Sequence, residues 1–522
     1  MVGRKRKRIC QGREAPLCTQ FVKANLYCAN PVWLNHVSPG KPPGSSIPAK
    51  AAGSHGKDLT TGSIAKNLIF FALPMLLGSL VHVTYSLINM MWVGNWLGAT
   101  AMAALTVGFP VFFVLNAFGQ GLSLASNVLV SQSYGAKDWP RLRMVVQNSM
   151  VLTVITGLLC FVLGELATEG LLRLMNTPAE VLPVAVSYLH VFLWTTPLMF
   201  GMFYLASVMR GAGDSKTPLY FQAGSLVVTA VLDPLLMFGW LGFPRMGLNG
   251  TAVATIISQA GALVALAWHM RRVRHIASPS WRRLGLNREV SLLTLRIGLP
   301  SMMQQALVSL GILVIVALVN RFGEHCAAAY GAAMRIDLLA FMPAMSIGMA
   351  ASTLSGQNIG AHKFDRVKQT FRWGLVISLA LTLPATLVSV GVPGLFMRLF
   401  AHDADVVATG AHYLRIVGVG YLMWAVMFLS NGIINGSGRT VATTVFTLVG
   451  FWVVRIPLAL FLSRQMNSVE GIWYGVLISS FVGAGISVTY YLTGRWKTPV
   501  VARTVPITAP EAEPIPEMQD GL

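Results

Sequence analysis

Residues 131–143 read SQSYGAKDWPRLR, and residues 356–368 read GQNIGAHKFDRVK. Aligned, Gln132 matches Gln357, Gly135 matches Gly360, Ala136 matches Ala361 and Arg141 matches Arg366, each 225 positions apart (357 − 132). The same interval relates Gly211-Ala212-Gly213 to Gly436-Ser437-Gly438, and an interval of 226 relates Leu73-Pro74 to Leu299-Pro300. An offset held so nearly constant along the chain predicts two structurally alike halves.

The material of those halves is apolar. Of 522 residues, 54% are hydrophobic and 11% charged, about half the charged fraction of a soluble domain. Long apolar runs must satisfy their own backbone hydrogen bonds in lipid, so the fold expected is all-α and membrane-embedded. Twelve apolar segments lie near 66–95, 101–131, 144–164, 181–208, 218–240 and 247–270, then 290–320, 326–354, 373–393, 408–435, 440–463 and 470–493. Six segments per half is an even number. Both halves therefore enter the membrane the same way and form parallel repeats, an arrangement found in carriers that rock about a central site.

The net charge of +20 does not indicate nucleic acid, because the basic residues punctuate the spans. The even-numbered loops hold Lys137, Arg141, Arg143, Arg210, Lys216, Arg271, Arg272, Arg274, Arg282, Arg283, Arg288, Lys363, Arg366, Lys368, Arg372 and Arg439; the odd loops hold only Arg173, Arg245, Arg321, Arg398 and Arg464. The positive-inside rule then puts the even loops and both termini in the cytoplasm of a multi-pass protein of the cell inner membrane. Residues 1–60 are expected to be a basic disordered tail or sequence upstream of a misplaced start. Residues 61–270 and 290–495 are the two six-helix bundles, 271–289 is their linker, and 496–522 is an acidic disordered tail. Cys10, Cys18, Cys28, Cys160 and Cys326 have no zinc spacing and read as inert thiols. The sequence lacks a phosphate loop and any nucleophile–base or H-E-x-x-H motif. An ion gradient is therefore the expected drive, with no enzymatic activity, and with H⁺ or Na⁺ in place of a cofactor.

Several stretches in order resemble the multidrug and toxic compound extrusion (MATE) family over roughly residues 58–495. They are LTTGSIAKNLIFFALPMLLGSL from Leu59, SQSYGAKD from Ser131, MRGAGDSKTP from Met209, VLDPLLMFG from Val231, GLNGTAVATIISQ from Gly247 and AAYGAAMRIDLLAFMPAMSIGMAASTLSGQNIGA from Ala328. The resemblance implies twelve transmembrane helices in two six-helix bundles forming a V around a central cavity. It implies an antiporter that expels bulky organic, often cationic, drugs in exchange for protons or sodium. The partners expected are small organic molecules and membrane lipids, with the chain acting as a monomer and binding no nucleic acid. Rival readings are a lipid-linked precursor flippase of the wider superfamily, a membrane-embedded enzyme and a channel.

Ionisable groups inside lipid need a reason. Asp233 in the fifth segment and Asp337 in the eighth are candidates for a group that takes up and releases the coupling ion; the alternative is a structural carboxylate. Gln222, Ser225, Thr229 and Asp233 share one helix face, and Pro234 loosens the backbone beside it. The family resemblance implies coupling-ion binding at Asp233, with Na⁺ as one option, usually with an Asn where Thr229 stands. A second stripe, His82, Tyr85, Ser86 and Asn89, lies on the first segment; the family often has an Asp at the place of Asn89. His82 is read either as sharing proton handling with Asp233 or as a packed histidine. Ser301, Gln304, Gln305 and Ser309 form a polar face on the seventh segment. Tyr85, Ser86, Gln222, Ser225, Gln304, Gln305, Met90, Trp194 and Met202 are the residues expected to line a substrate cavity, against the alternative of packing between helices.

Overall fold

The computed structural model describes residues 56–175, 177–279, 285–400 and 403–498. The remainder of the expected tails, with Cys10, Cys18, Cys28, Arg282 and Arg283, lies outside the described residues. Every regular element among the described residues is helical. The first half contains α1 (Ile64–Trp92), α2 (Ala99–Gly135), α3 (Trp139–Leu174), α4 (Leu182–Leu193), α5 (Thr195–Gly211), α6 (Lys216–Phe238) and α7 (Leu248–Arg272). The second contains α8 (Arg288–Asn320), α9 (Glu324–Gly360), α10 (Phe364–Gly391), the short α11 (Pro393–Met397), α12 (Ala404–Val417), α13 (Gly420–Gly436), α14 (Thr440–Thr447), α15 (Ile456–Met466) and α16 (Glu470–Leu492). Wide helical turns at Val93–Leu97 and Leu448–Arg455 extend α1 and join α14 to α15.

Each expected apolar segment contains a helix, and the differences have local causes. The third span begins earlier than its apolar run because Asp138 caps it, its carboxylate accepting from the Arg141 N–H at 3.1 Å, with Pro140 in the first turn. The fourth and tenth spans are each broken in two, by 41° between α4 and α5 and by 50° between α12 and α13. Pro197 sits in the first turn of α5 and can offer no N–H to the carbonyl of Leu193. At the second break, Gly418 lies so close to α10 that a β-carbon there would stand 3.0 Å from that of Ser389. Counting each bent pair once gives twelve spans. Their outward faces expose large apolar side chains such as Leu166, Val264 and Leu387, as a hydrocarbon solvent requires.

The apolar cores separate the two ends of the molecule. At one end they respect the repeat: Val93, Leu105, Leu172, Tyr188 and Met237 pack within the first half, and Ile315, Ile336, Tyr413, Trp424 and Trp473 within the second. At the end carrying the repeated glycine turns, the halves trade their first helices. The start of α8 (Val290, Leu293, Ile297) joins the core of Val128, Val145 and Leu205 from the first half. The start of α1 (Leu68, Phe71), with Leu59 before it, joins Ile347, Leu354, Val367 and Ile433 from the second. Two bundles fastened at one end and separately cored at the other make the V.

The fastening is a reciprocal pair of contacts. The Gln132 amide donates to the carbonyl of Gly436 at 2.8 Å, and the Gln357 amide donates to the carbonyl of Gly211 at 3.0 Å. Each repeated glutamine thus reaches into the glycine turn of the opposite half. Helices α2 and α9 approach so closely that a β-carbon on Gly135 would lie 1.9 Å from the Gln357 carbonyl oxygen, and one on Gly360 would lie 2.0 Å from that of Gln132. The segment of chain before α1 crosses this junction. Leu59 N–H donates to the Gln357 side chain at 2.9 Å, Lys363 donates to the Thr60 carbonyl at 3.0 Å, and Arg366 donates to the carbonyls of Thr61 and Gly62 at 3.2 and 3.0 Å. Residues 57–60, expected as part of a disordered tail, are instead part of this strap, whose Leu59 is buried. Likewise Trp496, assigned to the second tail, is buried and donates its indole N–H to the Tyr491 carbonyl at 2.9 Å.

Gly135→Ala and Gly360→Ala should each push α2 and α9 apart and destabilise the protein by about 1–3 kcal/mol. Gln357→Leu, which strips a partner from both the Gly211 carbonyl and the Leu59 N–H, should cost a similar about 1–3 kcal/mol per buried group. Thermal unfolding of the purified protein in detergent measures all three, and the midpoint should fall in each case.

Candidate ion site in the first bundle

Helix α6 carries the polar stripe read from the sequence, and the structure turns its lower part inward. Asp233 is fully buried and Thr229 nearly so. The Thr229 hydroxyl is spent on its own helix, donating to the Ser225 carbonyl at 2.8 Å. Gln222, one end of the stripe, faces α1, its carbonyl oxygen 3.8 Å from where a Gly78 β-carbon would stand. Past Asp233, Pro234 interrupts the helix without ending it. There α7 packs tightly against α6: a β-carbon on Gly250 would lie 2.7 Å from the Leu236 backbone.

The second stripe supplies the partners of the acid. From α1, Tyr85 donates its hydroxyl to Asp233 Oδ2 at 3.1 Å and Asn89 donates its amide to the same oxygen at 2.9 Å. Asp233 Oδ1 is buried and accepts no hydrogen bond from the protein. Thr255 of α7 lies beside the Tyr85 hydroxyl, and Tyr188 of α4, beside Thr251, is close enough to interact electrostatically with Asp233. A buried carboxylate with one oxygen bonded within the protein and the other not has the chemistry to accept a small cation. A proton fits the bare oxygen directly. Sodium would need several more oxygens converging there; the residues at hand are Asn89, Thr229 and Thr255, and no group of three or more His, Cys, Asp or Glu side chains suited to a metal occurs among the described residues.

Other expected site residues lie apart from this cluster. His82, Ser86 and Met90 are exposed on α1, and the hydrogen-bond partners of Asp233 are Tyr85 and Asn89, not His82. Trp194, expected in the cavity, stands at the α4–α5 break and packs on Phe161 of α3 with ring centres 4.8 Å apart. Met202 packs against the core at the fastened end. Gln304 spans to α14, donating to Thr447 at 3.1 Å and accepting from Thr443 at 3.3 Å; its place is an interhelical bridge, while Gln305 is exposed. Asp337 sits in the other bundle, held by Tyr413 and Tyr421. Tyr188 was missed as a site residue. Its signal is the repeat itself, since Tyr188-Leu189 and Tyr413-Leu414 share the 225-residue interval.

Fold and site together define a multi-pass membrane protein of two repeated bundles with a buried acid inside the first. The sequence pattern named MatE matches residues 74–235 and 300–461, one match in each half. A probable multidrug resistance protein of Bacillus subtilis, YoeA, is 32% identical over 447 residues, covering 85% of this chain and 96% of that protein. A second, YpnP of the same organism, is 32% identical over 446 residues, covering 84% and 97%. Among solved structures, the outward-facing conformation of a multidrug resistance MATE family transporter superposes with a TM-score of 0.79 at 22% identity, over 84% of this chain and 98% of that one. The chain belongs to the MatE family of membrane transporters.

Asn89→Asp would place a second carboxylate on the first. Two such groups at hydrogen-bonding distance cannot both stay charged without a shared cation. The variant should therefore retain one more bound proton or Na⁺ at neutral pH than the parent, read by proton-release titration of the purified protein and by isothermal titration with NaCl.

Proposed function

We propose that the protein is a secondary active antiporter that exports organic, cationic drugs or toxic compounds in exchange for protons bound at Asp233. The observation that carries this reading is the bare, buried Oδ1 of a carboxylate whose other oxygen is tied to α1. The relatives' names, with multidrug resistance in both B. subtilis proteins, support the substrate class. The asymmetry of basic loops supports a cytoplasmic location for both termini and for the fastened end, in an inner membrane. The halves then diverge toward the outside.

Helix α1 is the connecting part. Its start is rooted in the second half through Leu68 and Phe71, and its last two turns are held to the first half by Asp233 through Tyr85 and Asn89. Ionised, Asp233 accepts from both Tyr85 and Asn89. A proton arriving on the carboxyl removes the charge that strengthens those two bonds, so α1 is held less firmly by the first bundle. A proton can drive the cycle only by favouring one arrangement of the two bundles over the other; the change in the hold on α1 supplies that difference. The open face of α1, with His82, Ser86 and Met90, offers apolar and polar surface for the passenger on the helix that also contacts the acid, and the absence of a Lys or Arg on that face among the described residues suits a cationic one.

Purified protein in liposomes, given a pH gradient or a Na⁺ gradient separately, tests this with ethidium as the passenger. Wild type should concentrate dye under the pH gradient, and Asp233→Asn should lose at least about tenfold of that rate, more than 1.4 kcal/mol in the coupled step. Movement of dye under neither gradient overturns antiport. Movement under Na⁺ alone overturns the proton assignment, and an unchanged variant overturns the site.

A further inference from the structure

The second bundle also buries one acid, in a different setting. Asp337 of α9 is nearly inaccessible. Its Oδ2 accepts the Tyr413 hydroxyl and its Oδ1 accepts the Tyr421 hydroxyl, each at 2.5 Å. Tyr413 lies on α12, before the 50° break, and Tyr421 on α13, after it. On an unbroken helix, residues eight apart are about 12 Å apart along the axis and about 80° apart around it. The break is what lets both hydroxyls reach one carboxylate, and the carboxylate in turn fastens the two arms of the bend from outside.

That arrangement needs an anion. An ionised carboxylate only accepts, and here it takes two donors. A protonated one must donate from one oxygen, so one tyrosine would have to turn and accept. For Tyr413 the hydroxyl hydrogen would then be stranded, because it is buried among Tyr330, Trp424 and Trp473, whereas Tyr421 could turn only toward Ser389 and away from the acid. The other ionisable groups around the acid are few. Arg455, in the wide turn between α14 and α15, faces it electrostatically while donating to Ser479 at 2.7 Å and lying over the Phe451 ring at 3.9 Å. Tyr330 of α9 meets Tyr413 edge-on at 5.5 Å between ring centres. From α10, Ser389 is the group beside Tyr421. His412, next to Tyr413, turns away to Glu470 of α16 at 3.3 Å. With Arg455 as the one cation at hand among the described residues and both carboxylate oxygens filled, the contacts favour the ionised acid and leave no free oxygen for a metal ion.

The repeat gives the site a counterpart. Tyr413 corresponds to Tyr188 at the interval of 225, and each stands before the break of its bent span. The position matching Asp337 is Phe112, which packs on Tyr188 with ring centres 6.3 Å apart. The first bundle brings its acid to that tyrosine from α6 instead, as Asp233. We propose that Asp337 is a second proton-binding site, which holds the bend of the tenth span when ionised and releases it when protonated. The inference rests on the antiport reading only for its link to transport; the response of the bend to pH stands apart from it.

Spin labels at Ala408→Cys and Val426→Cys, on either arm, read the bend in lipid nanodiscs after the native cysteines are replaced by serine. Between pH 8 and pH 5 the wild-type separation should lengthen by roughly 2–3 Å, from a 1.5 Å rise per residue and opening of the 50° break. Asp337→Asn should hold the long separation at every pH, and so should the Tyr413→Phe, Tyr421→Phe double variant, which keeps the acid. Asp233→Asn should keep the wild-type response. A wild-type separation independent of pH, a response surviving in Asp337→Asn or in the double tyrosine variant, or its loss in Asp233→Asn would each overturn the proposal. Proton-driven dye exchange with a pH-independent bend refutes this inference alone, whereas a responsive bend without dye exchange refutes only the antiport reading.

Discussion

The structure depends on a reciprocal insertion. Gln132 and Gln357 each donate into the glycine turn of the other half, at a place where two helices meet backbone to backbone over Gly135 and Gly360. Each contact joins a buried amide to a buried carbonyl, and leaving such groups unmade is costly. The exchange of first helices at the same end, α8 into the first core and α1 into the second, makes the junction apolar as well as hydrogen-bonded. The opposite ends share no core. A molecule so built has one firm end and two bundles free to set their separation at the other.

The ion site gains its meaning from that junction. Asp233 holds α1 in the first bundle, while α1 is rooted in the second. A change of charge at one buried carboxyl therefore bears on a helix that belongs to both halves, and no long relay of side chains is required. The strap at residues 57–62 strengthens the same link, since Lys363 and Arg366 of the second half hold the backbone that leads into α1. In the proposed readings Asp233 governs how α1 is held and Asp337 the angle of a broken span.

Much of this is legible in the sequence. The constant interval pointed to Gln132, Gln357 and the glycine turns, and these residues meet because equivalent positions in parallel repeats face one another across the pseudo-two-fold axis. Helical spacing picked out the stripes on α1 and α6. It did not reveal that Tyr85 and Asn89 point at Asp233, because contacts between residues 144 and 148 positions apart leave no mark on local periodicity. Side-chain type alone does not decide three places. Trp194, Met202 and Gln304 have the chemistry of a binding surface, yet an aromatic ring, a thioether and an amide serve equally well in packing and in bridges between helices. The breaks in the fourth and tenth spans were hidden because hydropathy continues smoothly through them; Pro197 and Gly418 were the available signs. Residues 57–60 of the strap close the basic, Gly- and Ser-bearing stretch that predicts a tail, and what orders the strap comes from Gln357, Lys363 and Arg366, some three hundred residues later.

The claim that carries the rest is that transport must part the two halves where they are fastened. Thr353 donates to Asn127 across that junction at 3.2 Å. Cysteines at these two positions, in a chain whose other cysteines are replaced, can be joined by oxidation or a short thiol cross-linker in liposomes, and dye exchange followed before and after reduction. The account predicts that the joined protein stops exchanging dye and that a reductant restores it. Undiminished exchange with the two halves covalently tied would contradict it.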